Sequence, residues 1–204
     1  MATNCQGMDC QPKNQDGIME TSSPEVPPEK APRRKKPVLV LGLGNDILSD
    51  DAVGLNVVRK IKQHLSDTDG IEVQETSEMG LSLLDYITGF DDLVLVDAVQ
   101  TGQAPPGFVH EFDVSQLNVL PVVSPHFLGV GEVVKLGRQL GLPVPRQVKI
   151  FAVEVKDPFT VGVGMTPLLN RVLPSIALRV LAAARRLNSG RNKSRGDGAM
   201  HCGI

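Results

Sequence analysis

Residues 38–65 constrain the fold more than any other stretch of this chain. They open with an apolar run at 38–41, rich in β-branched residues, which is typical of a strand buried on both faces. A turn containing two glycines follows, and apolar residues then recur every four positions from Val53 to Leu65, which predicts a helix with one apolar stripe. Ser49 or Asp50 is predicted to cap that helix. The stretch therefore predicts a strand–turn–helix unit with an acid pair, Asp50 and Asp51, at its mouth.

The same alternation of strand and helix patterns continues along the chain. Further strands are predicted at 71–74, 93–96, 108–112 (an edge strand) and 148–155. Further helices are predicted at 80–86, 128–140 and from 166 to about 187. This order predicts an α/β three-layer sandwich of the phosphorylase/hydrolase-like kind, with a mostly parallel central sheet and helices on both faces.

Composition divides the chain into three predicted parts. Residues 1–36 are polar and rich in Pro, Glu, Lys and Gln, which predicts a disordered N-terminal extension. Residues 37–187 form the predicted α/β domain, and 188–204 a flexible, polar C-terminal tail. Four basic residues at 33–36 lack the following apolar stretch of about 7–15 residues that an export signal needs, so we expect a cytoplasmic protein.

Composition also argues against two classes of partner. The formal net charge of -2 and the 3% of aromatic residues give no support to nucleic-acid binding. No uninterrupted apolar run approaches the roughly 18 residues of a membrane span, so no membrane partner is expected.

Two familiar kinds of site fit the sequence poorly. Gly42 and Gly44 resemble the start of a dinucleotide-binding turn, but the third glycine would fall at Ile47, and nearby aspartates would repel a phosphate. The glycines are better explained by a close approach to a neighbouring element. A Ser or Cys nucleophile is also disfavoured, because there is no Gly-x-Ser-x-Gly elbow and all three Cys lie in the predicted tails.

A metal site has better support. Acids follow the predicted strands at Asp51, Glu75 and Asp97, and His126 lies in a loop that enters a helix. Ligands of α/β sheets sit beyond the carboxyl ends of the strands, so these side chains are expected at one rim. Two carboxylates and one imidazole suit nickel or zinc and leave coordination positions open. Spacing alone leaves ordinary roles open for each residue, such as a helix-dipole acid or a surface histidine.

Residues 42–54, Gly-Leu-Gly-Asn-Asp-Ile-Leu-Ser-Asp-Asp-Ala-Val-Gly, resemble the signature of the hydrogenase maturation endopeptidases. The likeness continues in 75–84, 95–98, 124–126 and 154–158, and covers about 37–187. It implies a nickel-dependent endopeptidase that removes the C-terminal extension from the large-subunit precursor of a [NiFe] hydrogenase.

The resemblance also implies roles for individual residues. It places nickel contacts at Asp51, Glu75 and His126. We further expect Asp51 and His126 to take part in catalysis. The supporting residues are Asp50, Asp97 and Asn45. Two positions depart from the family pattern: Glu75 stands where an aspartate is usual, with Glu78 as the alternative, and Ala52 replaces a common glycine.

These roles lead to one mechanistic hypothesis. Nickel already inserted into the precursor would be recognised by the three ligands, and a water polarised by the metal or by a rim carboxylate would attack the peptide bond. The alternative is a non-catalytic, nickel-sensing or chaperone-like partner of the same precursor.

Overall fold

The computed structural model describes residues 38–66, 69–113, 129–162 and 164–196, and five strands in these ranges form one sheet. The strands are β1 (Val38–Leu43), β2 (Ile71–Thr76), β3 (Asp92–Val99), β4 (Val109–Asp113) and β5 (Gln147–Glu154). Their order is β2-β1-β3-β5-β4, and only the edge strand β4 runs antiparallel to its neighbour. The predicted mostly parallel sheet with an edge strand near residue 110 is confirmed.

Helices cover both faces of this sheet. They are α1 (Val53–Lys62), α2 (Leu83–Ile87), α3 (Val130–Gln139) and α4 (Pro167–Gly196). Short 3-10 turns, Asp50–Ala52 and Gly80–Ser82, lead into α1 and α2. One apolar core joins α1 and α4 to the sheet, and a second core joins α2 and α3 to its other face. The predicted three-layer α/β sandwich is therefore confirmed.

Most element ends lie within about three residues of the sequence prediction, and two of the differences have a structural explanation. β3 continues through Asp97 to Val99, because the Asp97 carboxylate is fully buried and Oδ1 accepts a hydrogen bond of 2.8 Å from the Ala98 amide. α4 continues past residue 187 to Gly196, and Asn188 Nδ2 donates to the Asp69 carbonyl at 2.7 Å. Neither the burial of an acid nor a long-range side-chain contact is visible in the local sequence pattern, so the pattern could not predict these two ends.

Part of α4 has the length and composition of a membrane span. An 18-residue window within Pro167–Gly190 has a mean hydropathy of 1.3, although polar and charged residues interrupt its apolar ones. One face of this helix, which includes Leu169, Ile176 and Val180, is buried in the core shared with α1, whereas Leu168 and Leu178 on it are exposed. We therefore interpret α4 as a core helix. The predicted extension at 1–36 and the segment 124–126 lie outside the described residues.

Candidate functional site

The acid pair lies where α1 begins against the carboxyl edge of the sheet. Asp50 is fully buried and Asp51 is 6% exposed, within the 3-10 turn Asp50–Ala52. A Cβ added to Gly54 would lie 2.5 Å from Val96 O and closer still to Leu43 O. One added to Gly42 would lie 2.7 Å from Val58 Cγ2. The glycines therefore permit the close approach that the sequence suggested, and this approach holds the acid pair at the sheet edge.

Asp50 joins the β1–α1 loop to the loop after β5. Its Oδ1 accepts a hydrogen bond of 2.8 Å from the Thr166 amide, and its Oδ2 accepts one of 3.3 Å from the Asp157 amide. The predicted helix cap is wrong, because neither Ser49 nor Asp50 makes a capping hydrogen bond. Ser49 Oγ instead donates to Gly164 O at 3.2 Å. The carboxylate of Asp50 is thus occupied by two backbone amides that lie more than 100 residues further along the chain.

Asp51 belongs to a turn that packs against β3, the strand that carries Asp97. The register of β1 and β3 places Gly42 level with Val96, so Asp97 lies one residue beyond the last paired position of these two strands. Asp97 lies on the same face of β3 as Leu95 and Val99, which belong to the core under α2 and α3. Both acids are therefore buried at the carboxyl edge of β3.

Glu75 lies on the other face of the sheet. It shares a face of β2 with Ile71 and Val73, which pack in the core under α1 and α4. Its Oε2 accepts a hydrogen bond of 2.7 Å from Arg59 Nε on α1, and the two form an ion pair. Glu75 and Asp97 thus point to opposite faces of the sheet.

Arg59 also holds the turn after β1. Its two terminal nitrogens donate to Asp46 Oδ1 at 2.8 Å and Oδ2 at 2.6 Å, and this hydrogen bonding lowers the pKa of Asp46. The two carboxylates in turn raise the pKa of Arg59. The ion pairs border a groove of about 250 Å³, which is lined by residues 44–46, Leu55, Arg59 and residues 75–77. Asn45 therefore lies at this groove, where its Oδ1 accepts a hydrogen bond of 3.1 Å from the Ile47 amide.

The full predicted ligand set cannot be assembled from the described residues. His126 lies outside them, and Glu78 is exposed, with its amide donating to Thr76 Oγ1 at 3.0 Å. Within the described ranges no group of three His, Cys, Asp or Glu side chains is arranged to hold a metal ion. The predicted nickel contacts of Asp51, Glu75 and His126 therefore stay predictions.

Another buried acid, Glu154 at the end of β5, was not assigned a role by the sequence reasoning. Its carboxylate accepts hydrogen bonds from Thr101 N (2.8 Å), Thr101 Oγ1 (2.7 Å), Gly102 N (2.9 Å) and His110 Nε2 (3.1 Å). Burial opposes its charge, but these hydrogen bonds outweigh burial and lower the pKa of Glu154. Glu154 lay inside the predicted strand 148–155, so the rule that picked out acids following a strand did not select it; the strand in fact ends at Glu154.

Comparison with known proteins identifies the family. The family described as "Hydrogenase maturation protease" (HycI) matches residues 55–183, which is more than half of the chain. The chain belongs to the hydrogenase maturation protease family. This protease is 28% identical over 150 residues to the Hydrogenase 2 maturation protease of Escherichia coli K12, covering 72% of this chain and 90% of the relative. It is also 29% identical over 151 residues to the hydrogenase expression/formation protein HupD of Thiocapsa roseopersicina, covering 71% of this chain and 67% of HupD.

Solved structures agree with this membership. The maturating endopeptidase HybD from Escherichia coli has a TM-score of 0.62 and 28% identity to the protease, covering 74% of this chain and 93% of that one. HybD from Thermococcus kodakarensis has a TM-score of 0.58 at 22% identity, covering 72% and 99%, and supports the fold alone.

The two acids at the mouth of α1 have different capacities for chemistry in this protease. Both carboxylate oxygens of Asp50 accept hydrogen bonds from backbone amides of the loop after β5, so Asp50 anchors the β1–α1 loop to that loop. Asp51 follows it directly and is held in place by that anchor. A carboxylate with little exposure, fixed by its backbone, is suited to taking a proton or contacting a cation.

Proposed function

We propose that this maturation protease is a nickel-dependent endopeptidase that removes the C-terminal extension of a nickel-loaded [NiFe] hydrogenase large-subunit precursor. The nickel arrives as part of the substrate. The observation that carries the proposal is Asp51, a carboxylate 6% exposed at the carboxyl edge of the sheet, in a chain of the maturation protease family.

The proposed nickel contacts are Asp51, His126 and a second carboxylate, for which there are two candidates. Glu75 would have to leave its 2.7 Å contact with Arg59 before it could bind a cation. Asp97 is fully buried at the end of β3, and that strand contacts the turn of Asp51. We therefore favour Asp97 over Glu75 as the second carboxylate.

The proposed reaction divides the work between substrate and enzyme. Nickel in the precursor supplies Lewis acidity that polarises a water or a carbonyl oxygen. Asp51 accepts the proton of the attacking water, and His126 supplies a proton to the departing amine. A precursor without nickel offers no cation to offset the repulsion between the rim carboxylates, so cleavage depends on loading.

The proposal is tested with five purified variants and the precursor, scored by intact-mass measurement of the cleaved product. Asp51→Asn and His126→Ala are expected to lower the rate at least about 100-fold, the typical contribution of a positioned acid or base. Asp97→Asn is expected to lower it more than Glu75→Gln. The matched control is Asp85→Asn, an exposed acid on α2 with no proposed role at the site, which should keep the wild-type rate.

Thermal unfolding of each variant separates lost chemistry from lost folding. Wild-type rates for folded Asp51→Asn and His126→Ala would refute the proposed site. A stable complex between wild-type protein and nickel-loaded precursor, with no loss of mass, would instead support the non-catalytic alternative.

A further inference from the structure

A short two-stranded ribbon lies beside the acid pair. Leu48 after β1 and Val161 after β5 form an isolated antiparallel bridge. The flanking hydrogen bonds run from Ser49 N to Thr160 O (2.9 Å) and from Gly162 N to Ile47 O (3.1 Å). Because these bonds flank the bridge, the N–H and C=O groups of Leu48 and Val161 point away from the partner strand.

Among the described residues, no further strand pairs with the side of the ribbon formed by residues 159–162, here called the ribbon edge. In the described part of the chain the backbone of Val161 makes no hydrogen bond. Its side chain is 75% exposed and that of Phe159 is 66% exposed. An unpaired strand edge with apolar side chains is a ready template for another strand.

The ribbon edge has a fixed shape and a fixed place. The Asp157 carboxylate accepts hydrogen bonds from the amides of Phe159 (3.3 Å) and Thr160 (3.0 Å). The Asp157 amide in turn donates to Asp50, the neighbour of Asp51. An extended segment bound along the edge would therefore run close to the proposed reactive carboxylate.

The charge around the ribbon indicates the sign of the net charge that a bound segment carries. The two loops that form it, residues 44–52 and 155–166, carry four aspartates and one lysine. Arg59 of α1 offsets the charge of Asp46, which leaves three aspartates against one lysine. This excess of negative charge favours a bound segment with net positive charge and disfavours an acidic one.

We propose that the ribbon edge binds an extended segment of the hydrogenase precursor by strand addition, through the backbone of Val161 and apolar contacts with Phe159 and Val161. The segment carries apolar side chains and net positive charge. Main-chain hydrogen bonds supply affinity in this binding mode, and side-chain contacts supply selectivity. The inference rests on the proposed function, because it takes the precursor as the partner.

The test compares three proteins in steady-state cleavage of the nickel-loaded precursor. A Phe159→Ser/Val161→Ser double variant should raise KM about 10- to 100-fold with kcat within about twofold, since truncating a central apolar contact costs about tenfold in affinity. The control is Leu140→Ser/Leu142→Ser, which removes exposed apolar side chains from the segment before the amino-terminal end of β5, whereas the ribbon follows its carboxyl end. It should leave KM unchanged.

Val161→Pro separates strand addition from simple apolar contact. Proline keeps an apolar side chain but removes the outward-pointing N–H, and it is tolerated on edge strands. If its KM rises about as much as that of the double variant while its thermal stability stays near wild type, strand addition is supported. A wild-type KM for either ribbon-edge variant would overturn it.

Binding of the uncleaving Asp51→Asn variant to the precursor distinguishes this inference from the proposed function. Suppose that adding Phe159→Ser and Val161→Ser to the Asp51→Asn variant weakens precursor binding, but the wild-type protein never cleaves. The docking inference then stands and the proposed function fails. If wild type cleaves and the double variant binds equally well, the docking inference fails alone. If wild type neither binds nor cleaves, both fail.

Discussion

Replacing Gly54 by alanine tests the close contact that holds the acid pair at the sheet edge. In most helices such a change is favourable by up to about 1 kcal/mol, because alanine is the better helix former. At Gly54 the new Cβ would lie 2.5 Å from Val96 O and closer to Leu43 O, whereas real Cβ contacts stay beyond 3.0 Å. The start of α1 would have to move at least 0.5 Å away from the sheet.

The cost of that movement exceeds the gain in helix propensity. Both obstructing atoms are backbone oxygens of the central strands β1 and β3, which cannot rotate aside. Overpacking of this kind costs about 1–3 kcal/mol, and two fixed backbone oxygens place Gly54→Ala in the upper part of that range. After the gain of about 1 kcal/mol in helix propensity is subtracted, we expect its free energy of unfolding to fall by about 1–2 kcal/mol.

Urea unfolding of Gly54→Ala beside Gly190→Ala measures this effect. Gly190 also lies in a helix, α4, but an added Cβ there meets no atom within 4 Å. The control should therefore unfold at the same or slightly higher urea concentration than wild type. Because Asp51 moves with α1, Gly54→Ala should also slow cleavage. Equal or greater stability of Gly54→Ala would refute the close-contact argument.

Two further substitutions test the buried acids. Asp50→Asn should lower the free energy of unfolding by about 1–3 kcal/mol, because the new NH2 donor would face the N–H donor of Thr166 or Asp157. Urea unfolding that matches wild type would contradict the anchor role. Glu154→Gln should cost about 2 kcal/mol at neutral pH. Since the pKa of Glu154 is lowered in the folded state, its stabilisation is present above its ordinary value of 4.5 and is lost as pH falls through the folded pKa. The deficit of the variant in urea unfolding should therefore shrink below about pH 4, and a pH-independent deficit would contradict this reasoning.

The layered fold was predictable because its signals are local. Apolar runs of about four residues and four-residue helical spacing placed every strand and helix of the described core to within a few residues, except the C-terminal end of α4. β3 was predicted too short because a charged residue, Asp97, normally marks a strand end. Only the complete sheet, with Ala152 of β5 beside it, makes that position fully buried.

The candidate site was predictable only in outline. The position of Asp51 follows from the first strand–turn–helix unit alone. The partners of Asp50 lie at residues 157 and 166, and no local pattern specifies such contacts. The pairing of Glu75 with Arg59 likewise requires α1 to pack over β2 with those two positions facing each other. Spacing in sequence cannot supply that geometry.

The most direct test of the central claim is the intact mass of nickel-loaded and nickel-free hydrogenase large-subunit precursor after incubation with the wild-type protease. The account predicts loss of a C-terminal peptide from the nickel-loaded precursor and an unchanged mass for the nickel-free one. Equal cleavage of both, or of neither, would contradict it.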